Sequence, residues 1–228
     1  MIGYLGEDLS FCQLDGRLFV LDIRKDRYFQ RCQALKRQLR DYLDTPNRTD
    51  VDGTDVDVAP LIERGVFSPE VPTSCATTKT MAPRHGALEV PNADIPASVP
   101  AASQGFLSVA AIRRQLNTRP LKSILTTLSG YRQRNALPPG DDDARYHQRP
   151  LEASMQCHRG RPFVPIPTRR LIDPLAMVRF LAAHGLHARL VLSIAADPFS
   201  AHAWVQHGSW VLNGALGTTQ AHVPTQVI

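Results

Sequence analysis

The chain has 228 residues, 43% of them hydrophobic, and a formal net charge of +5. That length accommodates one large domain or two small ones, and the composition is that of a globular chain, not a fibrous one. The basic residues are dispersed, so no nucleic-acid partner is expected; no apolar run approaches the ~20 residues of a membrane span or forms a signal peptide, so a cytoplasmic protein is expected.

Residues 9–67 read as a small module. Leu9–Leu14 has strand character, Asp15-Gly16 is a hairpin turn, and Arg17–Asp22 is the return strand. A turn at Arg24-Lys25-Asp26 leads into a third strand, Arg27–Arg31. A helix with Leu35, Leu39 and Leu43 on its apolar face follows. The loop with Asp50, Asp52, Asp55 and Asp57 is acid-rich, but counted from Asp50 the sixth position is Asp55 and the twelfth is Leu61. A calcium loop needs Gly and Glu there, so no calcium site is expected. A short helix from Val58 ends at Gly65.

Residues 68–104, with six prolines among Ser, Thr and Ala, read as a linker. Apolar residues then recur at helical spacing from Phe106 to Arg134, and Pro120 divides the pattern in two. Arg113, Arg114, Arg119, Lys122, Arg132 and Arg134 lie along it as a solvated face or a docking face for acidic peptide. Asp141–Asp143 is placed to start another helix, which Pro150 and Gly160-Arg161-Pro162 should interrupt.

Leu171, Leu175, Val178, Leu181 and Ala182 mark one more helix, stopped by Gly185. Asp173-Pro174 reads as an N-cap followed by proline at the first helical position, so this helix should begin near Asp173. Three strands follow, at 188–195, 201–206 and 209–213, as an antiparallel meander. Alternation puts His202, Trp204 and Gln206 on one face of the middle strand and Ala201, Ala203 and Val205 on the other. From spacing alone His202 is a core histidine. A helix followed by a histidine strand, however, is also the layout in which a cysteine at the helix start and the histidine make a nucleophile and base.

The runs Val164-Pro165-Ile166, Leu171–Leu181 and Pro198-Phe199-Ser200-Ala201-His202-Ala203-Trp204-Val205 resemble the lasso-peptide biosynthesis B proteins. These join a leader-recognition module to a transglutaminase-like cysteine peptidase. Leu21–Phe29, Leu-Asp-x-x-x-Asp-Arg-Tyr-Phe, resembles their winged-helix leader-binding element. The resemblance implies an α+β fold with a winged-helix-like leader-binding module at 1–67, a Pro-rich linker at 68–104 and a transglutaminase- or papain-like domain with an antiparallel sheet at 105–228. It implies a precursor leader peptide and a macrolactam synthetase as partners. The leader would add as a strand along Arg27, Tyr28, Phe29, Gln30 and Arg31, against the helix from Val58 to Arg64.

The family's catalytic positions are only partly kept. His202 stands where the family has its histidine. Arg170 occupies the cysteine position and Gly214 the aspartate position. A guanidinium stays protonated at neutral pH and cannot be a nucleophile. Cys157-His158, thirteen residues ahead of Arg170, offers an alternative nucleophile. Cys12, Cys32, Cys75 and Cys157 show no metal-ligand spacing, and no disulfide framework, metal or cofactor is expected. No phosphate-binding loop occurs, so any ATP chemistry of the pathway is expected elsewhere. Two functions follow: leader binding with impaired Cys-His-Asp proteolysis, or a leader-binding pseudoenzyme.

Overall fold

The computed structural model describes residues 2–6, 9–14, 17–25, 27–31, 81–90, 99–136, 144–167 and 171–228. The chain divides into two compact units, Met1–Lys79 and Thr80–Ile228.

The first unit holds an antiparallel sheet in the order β1-β2-β3-β4, with β1 Ile2–Gly6, β2 Leu9–Leu14, β3 Arg17–Asp22 and β4 Arg27–Arg31. β2, β3 and β4 stand where the sequence puts them, whereas β1 was not anticipated. Leu14 pairs with Arg17, which gives the two-residue connection that Asp15-Gly16 favours. The Asp22 carboxylate accepts from the backbone N–H groups of Arg24 (3.0 Å) and Lys25 (3.2 Å) and so fixes the turn into β4. Phe19, Val20 and Leu21 are buried in succession, so both faces of β3 are covered. The helices and acidic loop expected between residues 32 and 67 lie outside the described residues.

The second unit is built around a largely apolar helix. Helices α1 Val99–Thr118, α2 Leu121–Asn135 and α3 Ala144–Gly160 precede α4, Ile172–Ala183. Nine of the twelve residues of α4 are buried. A helix so largely apolar must be enclosed on most sides, and α4 packs against α1, α2, α3 and the sheet, with only Asp173, Arg179 and Ala183 outside the core. The division at Pro120 is as expected, with Pro120 preceding the first turn of α2. Pro150 does not break the chain: α3 runs through it. Its missing N–H forfeits one helical bond, and the packing of α3 on α1 and α4 holds the helix together across that gap.

The second sheet has the order β5-β8-β7-β6-β9, with β5 His85–Gly86, β6 Arg189–Ala196, β7 Phe199–His207, β8 Trp210–Val211 and β9 Val223–Val227. The expected meander is its centre: β6, β7 and β8 are antiparallel neighbours. Its flanks were not expected. β9 contains Pro224, which suits an edge position and coincides with a shift of register against β6. β5 and a following 3₁₀ turn at Ala87–Glu89 arise inside the stretch read as linker. Arg84 and His85 donate their backbone N–H groups to Ser209 (2.8 and 3.2 Å), and Glu89 accepts from the N–H of Leu216 at 2.8 Å. These bonds tie residues 84–89 to the turn between β7 and β8 and to Leu216 beyond β8. α1 likewise begins at Val99, inside the expected linker.

Among the described residues, no helix is long and apolar enough to cross a membrane.

Candidate active site

His202 lies in the middle of β7, paired with Ser193 of β6, whose hydroxyl donates to the His202 carbonyl at 2.8 Å. Period-two alternation holds: His202, Trp204 and Gln206 share a face. The His202 and Trp204 rings stack at 6.1 Å, and Trp204 Nε1 donates to Gln206 Oε1 at 3.0 Å. Gln206 in turn donates to the carbonyls of Met81 (2.6 Å) and Gly208 (2.8 Å). Trp204 is 1% exposed and forms a cluster with Val191 and Val211, closed by Leu216 and Val227. The face is therefore core at Trp204 and more open toward the start of β7, where His202 is half-buried.

The loop after β8 brings position 214 to the imidazole. Asn213 is held by its side chain, whose Oδ1 accepts from the Val205 N–H at 2.6 Å. That bond makes Asn213 a structural residue and turns Gly214 toward β7. A Cβ built on Gly214 would stand 3.8 Å from His202 Nε2, with Thr219 Oγ1 and Val211 Cγ1 at 3.9 Å. All three are ordinary van der Waals distances. Position 214 thus faces one ring nitrogen of His202, where a carboxylate orients an imidazole, and the native residue supplies no side chain there.

The start of α4 lies at Ile172, one residue before the expected start, and Leu171 caps it without a side-chain bond. Asp173 is therefore inside the first turn and is not the cap. Its carboxylate is engaged elsewhere: Arg161 Nε donates to Oδ1 at 2.6 Å, while the same guanidinium donates to the carbonyls of Ile166 (2.9 Å) and Val164 (3.4 Å). Pro174 becomes the third helical residue, among the first four whose N–H has no intrahelical acceptor, so it costs no hydrogen bond. Arg170 lies outside the described residues.

Cys157 and His158 lie near the end of α3. Burial pushes the Cys157 thiol up to about 12, with Asp173 adding to the rise and Arg161 opposing it. A thiol so held is protonated at neutral pH and is a poor nucleophile. The relocated-nucleophile reading therefore has no electrostatic support. His158 is committed to structure: its Nε2–H donates to the Leu212 carbonyl at 3.1 Å, and burial lowers its pKa against the opposing effects of that bond and of Asp173.

Two residues that the sequence did not single out complete the surroundings. Ser200 Oγ is 3.0 Å from His222 Nε2, and His222 Nδ1 is 2.7 Å from the Thr218 carbonyl. The His222 ring lies 5.3 Å from that of His202. Helix α5, Leu216–Gln220, carries Thr218 and precedes His222. Only the serine's place beside His202 on one strand face was visible in the sequence; the stretch around His222 has no strand or helix periodicity.

Among the described residues no three His, Cys, Asp or Glu side chains converge as metal ligands. A cleft of about 340 Å³ on α1, lined by Ala110, Arg113, Arg114, Asn117, Thr118 and Ile166, contains none of the groups around His202. In the first unit, Arg27–Arg31 forms β4 at the end of the described sheet. Arg27 is exposed, and Tyr28 is half-buried and paired with the buried Leu21. Phe29, Gln30 and Arg31 continue the strand opposite Val20, Phe19 and Leu18.

Residues 109–226 match the family model described as the transglutaminase-like superfamily. No curated protein and no solved structure matches the chain.

Proposed function

We propose, from the premise that the chain belongs to the transglutaminase-like superfamily, that it acts in lasso-peptide maturation, binding a precursor leader through β4 while its own Cys-His-Asp proteolysis is impaired. The observation that carries the second half is the facing of Gly214 and His202. The 3.8 Å from an added Cβ to Nε2 supports reading 214 as the orienting-acid position, and glycine leaves the imidazole without that acid. With arginine at the cysteine position, two of three catalytic members are absent, and loss of any one of them typically leaves only ~10³–10⁴-fold catalysis over water.

The leader reading rests on the Leu21–Phe29 motif and on β4 standing at an edge of the described sheet. A peptide added there would gain main-chain bonds from the strand and selectivity from its side chains. A macrolactam synthetase is the proposed partner that receives the processed core peptide. The stronger form of this reading, a pseudoenzyme that binds and does not cut, is favoured by the same missing side chain at 214.

The test is fluorescence anisotropy of a labelled peptide carrying the leader encoded at the same locus, titrated with the full chain. Binding that weakens at least tenfold in Arg27→Glu/Arg31→Glu, with the fold intact by circular dichroism, is expected. Equal affinity of native and variant chains contradicts the leader assignment.

A further inference from the structure

The hydrogen-bond chain Ser200–His222–Thr218 has a direction. A carbonyl oxygen carries no proton, so the 2.7 Å contact requires His222 Nδ1–H to donate to Thr218. A neutral His222 then presents Nε2 as an acceptor, and the Ser200 hydroxyl, 3.0 Å away, donates to it. Nucleophile, base and orienter are thus aligned in the order that activates a serine. Ser200 and His222 are both only partly buried. Ser200 also shares its strand face with His202, and the two imidazoles are 5.3 Å apart.

We propose that Ser200 and His222 form a reactive centre of their own, which takes acyl groups from activated esters and thioesters. Ser200 Oγ attacks the acyl carbonyl while its proton passes to His222 Nε2. The tetrahedral adduct collapses with cleavage of the bond to the leaving alcohol or thiol, which takes the proton back from His222. Water then attacks the seryl ester by the same route and releases the acid, so the net reaction is hydrolysis of one ester or thioester bond. The orienter here is a neutral carbonyl in place of a carboxylate and stabilises the imidazolium less. That restricts the centre to good leaving groups and excludes peptide amides. The centre is separate from the leader-binding reading and stands or falls without it.

The full chain is treated with a fluorophosphonate, whose serine adduct is not turned over by water, and the adduct is located by peptide mass spectrometry; p-nitrophenyl acetate hydrolysis is followed in parallel by release of p-nitrophenolate. The expected result is one adduct on Ser200, none in Ser200→Ala, and labelling at least about 100-fold slower in His222→Gln, the low end of what a positioned base contributes. Cys157→Ala should label as the native chain does. Location of the adduct in the native chain decides the matter even where a variant folds poorly. No adduct on the native chain, an adduct on another residue, or an unchanged rate in a folded His222→Gln overturns the proposal.

Discussion

His202 and position 214 face each other across the end of β8, with the imidazole Nε2 3.8 Å from where a Cβ on Gly214 would stand. Gly214→Asp should therefore be accommodated with a stability change within about 1 kcal/mol, because the new Cβ meets nothing closer than ordinary contact. The added carboxylate should raise the His202 pKa relative to the native chain. The sign follows from linkage: a raised folded-state pKa gives stability that is fully present below the unfolded value and is lost as pH rises through the folded value. An NMR titration of the imidazole in both chains checks this, and an unshifted His202 would show that 214 does not address the ring.

Cys157 should resist alkylation. Its thiol is pushed up to about 12 by burial first and by Asp173 second, so the reactive thiolate is scarce at neutral pH. Iodoacetamide at pH 8 should modify the native chain at Cys157 far more slowly than a free cysteine, and Asp173→Asn should speed the reaction. Rapid native labelling, read by peptide mass spectrometry, would restore the thiol as a candidate nucleophile.

His187 makes the second unit sensitive to acid. Burial, then Arg132, Arg189 and His207, lower its pKa from 6.5 to about 4. Between those values the unfolded chain binds the extra proton, so stability is present above the unfolded pKa and is lost as pH falls from 6.5 toward 4. The ring is only about half buried, and with solvent screening the loss amounts to about 1 kcal/mol. Urea midpoints at pH 7 and pH 4.5 should differ less in His187→Gln than in the native chain.

Arg161 joins the 3₁₀ turn at Arg161–Phe163 to the first turn of α4 through Asp173, Val164 and Ile166. Arg161→Ala leaves the Asp173 carboxylate and two carbonyls without that donor and should cost about 2–3 kcal/mol. Arg161→Lys should recover only part of it, since a point charge cannot replace the planar fork. Chemical denaturation of the three chains measures both effects.

The helices around Pro120, the apolar α4 and the β6–β8 meander were legible in the sequence because each carries a strong period or a clear stop. β9 was not, because Pro224 argues against a strand and only an edge position reconciles the two. β5 was not, because two residues carry no period, and their pairing with Trp210 and Val211 is set by tertiary contact. Asp173 looked like a cap because its residue type suits one; a guanidinium twelve positions earlier competes for it. At the site, the His202 face was readable by alternation, and 214 was readable only through the family resemblance. The Ser200–His222 pair joins residues 22 apart, and past β7 and β8 the chain reaches His222 through a loop and short helix that give no local signal.

The most direct test of impaired proteolysis is cleavage of the leader-bearing precursor from the same locus, followed by mass spectrometry. Native chain and Arg170→Cys/Gly214→Asp are compared under one condition. Release of the leader by the double variant alone is expected. Cleavage by the native chain at a comparable rate would contradict impaired proteolysis.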